Sequence, residues 1–174
     1  MSDDSTAHRT LVRDLMKVGV QTVPLDAPVP EVARLLLEKG LEAVVVLDKE
    51  GHGVGVVSRD DLVAAYGRQN VRSLTAQDVM TEGVPQVPPD IPLAAAAQLM
   101  RDRGLQAVFL MHNAGGIIYP AGMLCASHLI RHLAARDNSE LSDLGIAAAR
   151  KTPVEMFIEK RDAARRAAKR ERSE

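Results

Sequence analysis

Between residues 10 and 136 the apolar positions run through one series of spacings twice. Val20–Val23 is a short apolar stretch closed by Pro24, which predicts a strand. Pro28 and Pro30 then lead into a helix predicted over 30–39, with Val32, Leu35 and Leu36 as its buried stripe and Gly40 as its C-cap. Ala43–Leu47 is a continuous apolar run of strand length. A polar, glycine-bearing turn over 48–53 returns the chain as Val54–Val57, so these two segments form a hairpin. Ser58 is a good N-cap for a helix over 59–66. The unit is β-α-β-β-α.

The second pass has the same order: strand 84–87, helix 93–103, strand 107–111, return strand 121–124 and helix 127–136. Its hairpin connection, His112–Pro120, is three residues longer. A helical turn over 9–17 precedes the first unit. After a polar break at 137–143, a last helix is expected from Thr152 to about Arg170. Val154, Phe157 and Ile158 lie on one of its faces, and beyond Asp162 it is alanine and charge.

The two passes share residues as well as spacing. Shifting the chain by 64 places Asp14, Met16, Val23, Pro24, Asp26, Pro28, Ala33, Gly40, Leu41, Ala43 and Val44 on identical residues from Asp78 to Val108. Past the hairpin insertion the offset becomes 67, which sets Gly55 on Gly122 and Leu62 on Leu129. A repeat of this length is one supersecondary unit used twice. The expected fold is α+β, two β-α-β-β-α repeats over 10–70 and 71–136 packed about a pseudo-two-fold axis. Residues 1–9 are expected to be disordered, and 137–174 to form a linker and a basic helix.

Composition narrows the function. Of 174 residues 46% are hydrophobic, enough for a core, yet only two Phe, two Tyr and no Trp are present. Stacking of bases on exposed aromatics is therefore not the mode of recognition. Cys125 is the only cysteine, which fits a reducing, cytoplasmic setting. No apolar N-terminal run or 18-residue apolar span is present, so neither a signal peptide nor a membrane role is expected. Residues 1–149 carry a net charge of −5 and residues 150–174 a net charge of +4. Acids interrupt the basic tail and its charges surround the helix, so a solvated helix is favoured over a nucleic-acid contact.

The string Gly55-Val56-Val57-Ser58-Arg59-Asp60-Asp61-Leu62 holds the candidate chemistry. Ser58 and Asp61 sit three apart at a helix start, so a hydroxyl and a carboxylate face one side, and a carboxylate can accept from both hydroxyls of a ribose. The same pair also reads as an N-cap and a first-turn acid.

With the two-copy β-α-β-β-α order and the Asp14-Leu15-Met16 and Asp78-Val79-Met80 lead-ins, this string resembles the cystathionine-β-synthase (CBS) domain, in a tandem pair over about 10–136. The resemblance implies a stand-alone regulatory module, not an enzyme. It would bind an adenine nucleotide (AMP, ADP or ATP) between the repeats and signal to a partner protein in trans by changing shape. S-adenosylmethionine or a dinucleotide is the alternative ligand, and a ligand-free interaction protein acting through its C-terminal helix is the alternative role. The implied site is Val20 and Thr22 on the first strand, Ala43 on the second, and Gly55, Ser58 and Asp61, with Gly55 admitting the ligand to the backbone. Arg59, Arg101 or Arg103 would meet phosphate. A homodimer is implied too.

The second copy reads Gly122-Met123-Leu124-Cys125-Ala126-Ser127-His128-Leu129. Cys125 replaces the hydroxyl and His128 the carboxylate, so one competent site is expected, in the first copy. Cys125, His128 and His132 have soft-ligand spacing for zinc but no clear fourth ligand. A buried thiol beside two histidines is the simpler reading, and no metal or cofactor is expected.

Overall fold

The computed structural model describes residues 10–136 and residue 140; the expected disordered N-terminus, the polar break over 137–143 and the C-terminal helix lie almost wholly outside them. The lead-in is a helical turn, α1 (Val12–Leu15), and a two-residue strand, β1 (Lys17–Val18). Repeat 1 follows as β2 (Thr22–Pro24), α2 (Val29–Glu38), β3 (Ala43–Leu47), β4 (Gly53–Ser58) and α3 (Arg59–Ala65). A 3-10 turn (Val71–Ser73), α4 (Ala76–Val79) and β5 (Thr81–Glu82) form the second lead-in. Repeat 2 is α5 (Leu93–Asp102), β6 (Ala107–Ala114), β7 (Ile117–Cys125) and α6 (Ala126–Ala134). The fold is α+β, as expected.

The two lead-in strands are exchanged. β5 pairs antiparallel with β4 of repeat 1 and completes a four-stranded sheet ordered β2-β3-β4-β5. β1 pairs antiparallel with β7 of repeat 2 in a three-stranded sheet ordered β1-β7-β6. The registers correspond: Val18 faces Gly122 as Glu82 faces Gly55, and Lys17 faces Met123 as Thr81 faces Val56. Each repeat is thus completed by a strand that precedes the other, which is the pseudo-two-fold relation at the level of the backbone.

Burial shows which face of each sheet does what. In repeat 2, Val108 and Leu124 turn towards α5 and join Leu93, Ala96 and Met100 in that repeat's own core. Their neighbours Ala107, Phe109, Met123 and Cys125 turn the other way and share a cluster with Val45 and Val56 of repeat 1. Alternation along a strand places successive side chains on opposite faces, so one face of the second sheet is the interface between the repeats.

Three elements differ from expectation. Residues 84–87 form no regular strand; they hold β6 by an isolated parallel bridge, Gln86 to Phe109, with Phe109 N donating to the Pro85 carbonyl (2.8 Å) and Val87 N to the Phe109 carbonyl (3.0 Å). Pro85 and the following Pro88 have no N–H to extend a ladder. The connection over 112–120 is mostly ladder: only Gly115 and Gly116 turn, with φ of 61° and 85°, the pair of positive angles that closes a two-residue hairpin without splaying its strands. The first helical turn is four residues long rather than nine.

Candidate functional site

A cleft of about 490 Å³ lies between the repeats, within the size range of small-molecule sites. Repeat 1 contributes Ala43, Val56, Ser58, Asp60 and Asp61. The second lead-in adds Thr81, Glu82 and Val84, and the approach to β6 adds Arg103, Leu105 and Ala107. Ala43, Val56, Val84, Leu105 and Ala107 give the cleft apolar surface, and Ser58, Asp60, Asp61, Thr81, Glu82 and Arg103 give it polar surface.

Asp61 is reached from three groups. Its Oδ2 accepts from the Ser58 backbone N–H (2.7 Å) and from Ser58 Oγ (2.5 Å), and Asp61 N donates back to Ser58 Oγ (3.1 Å). That is a capping box closing the N-terminus of α3. Its Oδ1 accepts from Thr81 Oγ1 at 3.0 Å, so β5 delivers a hydroxyl to the motif. A carboxylate has about four acceptor sites, and one on Oδ1 remains. The cap and the binding role are therefore compatible: the box holds the carboxylate still at the mouth of the cleft.

Of the expected residues, the structure gathers Ala43, Ser58 and Asp61 around the cleft, while Val20 and Thr22 do not line it. Val84 and Ala107, which stand 64 residues after Val20 and Ala43, line it instead. The motif of repeat 1 meets residues of repeat 2 in this cleft, and Val20 is the counterpart of Val84 at the offset of 64. Gly55 does not line the cleft. A Cβ there would stand 2.5 Å from Met80 Sδ and 2.9 Å from the Thr81 carbonyl oxygen, so the glycine admits the crossing lead-in. Among the three arginines, Arg103 lines the cleft; Arg59 Nε donates to the Leu41 carbonyl (2.8 Å), and Arg101 stands 3.8 Å from Asp102. Thr81, Glu82, Val84 and Ala107 went unread in the sequence. The offset of 64 marks Val84 and Ala107 as site equivalents but does not show that the copies trade partners.

Comparison with known proteins gives the same architecture. The CBS domain family model matches residues 12–68 and again 76–135. The chain is a CBS domain protein. An uncharacterised protein of Methanocaldococcus jannaschii is 34% identical over 65 residues, 37% of this chain and 39% of that one. Another, of Methanopyrus kandleri, is 28% identical over 90 residues, 51% of this chain and 46% of that one. The matched segment therefore spans less than half the length of each curated relative.

Among solved structures, the CBS domain pair of the protein MJ0100 in complex with 5′-methylthioadenosine and S-adenosyl-L-methionine superposes with a TM-score of 0.63 at 21% identity, covering 74% of this chain and 98% of that one. CBSX2 in complex with AMP superposes with a TM-score of 0.58 at 24% identity, covering 71% and 96%. At these identities the likeness is one of fold. No helix among the described residues is long and apolar enough to cross a membrane.

The second CBS motif is wired differently. His128 takes the place of Asp61, and its Nδ1 accepts from the Cys125 backbone N–H at 3.2 Å. The imidazole therefore does the capping of α6 that the carboxylate does for α3. Glu42 reaches the same helix start, where its Oε1 accepts from Ser127 N at 3.0 Å while its buried Oε2 has no hydrogen-bond partner among the described residues. The anion-favouring end of α6 is thus occupied by the chain's own carboxylate. Burial, with a smaller push from Glu42, raises the Cys125 thiol to about 12, so the thiolate that a nucleophile or zinc ligand needs is scarce. Among the described residues no group of His, Cys, Asp and Glu side chains gathers with the geometry of a metal site.

This wiring predicts a pH dependence. Burial lowers the His128 pKa from 6.5, opposed by Glu42 and reinforced by Arg131 and Lys17. The neutral ring is the folded form, because protonation would turn its Nδ1 acceptor into a donor. On acidification below about 6.5 the unfolded chain takes up the proton first. The His128 contribution is therefore complete above that pH and is lost as pH falls through the lower folded value. Urea midpoints measured from pH 8 to pH 5 should fall with acid in the natural chain and fall less in His128→Asn. Equal slopes in the two would remove His128 as the cause.

Proposed function

We propose that this CBS pair is a regulatory module, without catalytic activity of its own, that binds an adenosine-containing ligand in the cleft between Ser58/Asp61 and Val84/Ala107. The observation that carries this reading is the Asp61 carboxylate, held by its hydrogen bonds to Ser58 and Thr81, in a 490 Å³ cleft whose lining combines polar and aliphatic residues. The polar groups suit a ribose diol: Asp61 Oδ1 accepts from a ribose hydroxyl, and Thr81 Oγ1 is near enough to share it. The aliphatic residues suit an adenine ring. The ligand-bound relatives described above, one with AMP and one with methylthioadenosine and S-adenosylmethionine, support the class of ligand. The cap on α6 and the Glu42 carboxylate at its N-terminus support a single site per chain.

Signalling follows from where the cleft lies. A ligand touching both repeats favours one relative orientation of the two sheets by its differential affinity for that state, and a partner protein in trans reads the orientation. Thermal melts with AMP, ATP, S-adenosylmethionine, methylthioadenosine and NAD test the reading. At 100 times its Kd, a ligand stabilises the fold by about 2.7 kcal/mol, a rise of several degrees at this size. A chain that melts at one temperature with all five is not an adenosine sensor.

A further inference from the structure

The charges that line the cleft sort adenosine compounds by what they carry beyond the ribose. Among the described residues Asp60, Asp61 and Glu82 line it, against one guanidinium, Arg103. The positive end of α3 gives little help, because its first turn already holds Asp60 and Asp61 and its cap is closed by Asp61 Oδ2. Arg59 is turned away to the Leu41 carbonyl. A triphosphate brought against the ribose site would meet three carboxylates and one cation among the described residues.

Resting on the adenosine reading above, we propose that the cleft selects adenosine ligands whose 5′ substituent is uncharged or cationic, such as a thioether or a sulfonium, and discriminates against polyphosphates. Affinity falls with each phosphate added. A cleft of about 490 Å³ is about as wide as the screening length of about 8 Å in physiological salt, so the carboxylates that line it act on a bound ligand even though Asp60 and Glu82 are solvent-exposed. The order of ligands is therefore set by net charge, and the contrast between them shrinks as salt rises.

Titration calorimetry of the natural chain with adenosine, 5′-methylthioadenosine, S-adenosylmethionine, AMP and ATP, in low salt with EDTA and again with Mg²⁺, tests this. We expect methylthioadenosine to bind at least about tenfold more tightly than ATP, a difference of about 1.4 kcal/mol. That gap should narrow in 0.5 M NaCl and narrow in an Asp60→Asn/Glu82→Gln double variant that melts like the natural chain. ATP binding as tightly as methylthioadenosine, with or without Mg²⁺, overturns the charge selection and leaves the adenosine reading standing. A gap that survives both the salt and the double variant overturns it as well. Failure of all five compounds to bind removes the adenosine reading itself.

Discussion

Phe109→Ala should be the most damaging single truncation in the described fold. Phe109 is the largest of the fully buried side chains, with no exposed surface. It sits on β6 of repeat 2 but belongs to the cluster that holds Val45 and Val56 of repeat 1. Its backbone also carries both hydrogen bonds that tie 85–87 to the sheet. Removing the ring leaves a cavity on the surface that joins the two repeats, and phenylalanine-to-alanine changes of this kind cost about 3–5 kcal/mol. Whole domains are stable by only about 5–15 kcal/mol, so a large part of the margin goes, roughly 10–20 °C in melting temperature. Because the cavity is shared, both sheets should unfold in one transition. Urea unfolding followed by circular dichroism checks this; a loss under about 1.5 kcal/mol, or two separated transitions, would show that the repeats do not share a core.

Asp61→Ala should abolish ligand-dependent stabilisation, the whole of the 2.7 kcal/mol that a saturating ligand provides in the melts described above. The substitution is not silent in the free protein. It strips the acceptor from Ser58 N, Ser58 Oγ and Thr81 Oγ1, and loss of a helix cap costs about 1 kcal/mol. A lower melting temperature alone therefore proves nothing about binding. Asp78→Ala supplies the control. Asp78 caps α4 with the same geometry, its Oδ2 accepting from Thr75 N and Oγ1 (both 2.8 Å), and it does not line the cleft. The two variants should both lose a cap, and only Asp61→Ala should lose the response to ligand. A ligand shift that persists in Asp61→Ala moves the ribose site elsewhere.

What the sequence made legible follows from the range of the interactions involved. Spacing exposed α2, α5 and both hairpins because each buries a stripe or a continuous run that local periodicity records. The Gly115-Gly116 turn was present in the letters, yet the polar His112 and Asn113 beside it masked seven residues of ladder. β1 and β5 escaped notice because each is two residues long and pairs only with the other repeat. The site divides in the same way. Ser58, Asp61 and Ala43 lie near one motif and could be read from it. Thr81, Val84 and Ala107 arrive from the other copy, and Val20 and Thr22 do not line this cleft, since one sequence cannot tell a self-contained repeat from an exchanged one. Gly55 was noted for its missing bulk, and it is Met80 and Thr81 that stand where its Cβ would be.

The exchanged lead-ins also set a timetable. All four strands of the first sheet lie within residues 22–82, so a ribosome has released everything that sheet needs soon after Glu82 has cleared the exit tunnel. β1 is synthesised earlier than any of them, yet its partners Gly122 and Met123 are translated near the end of repeat 2. For most of synthesis the N-terminal strand has nowhere to pair. The second sheet closes last, by capturing a segment made first, and that late, long-range closure joins the two ends of the pair into one body.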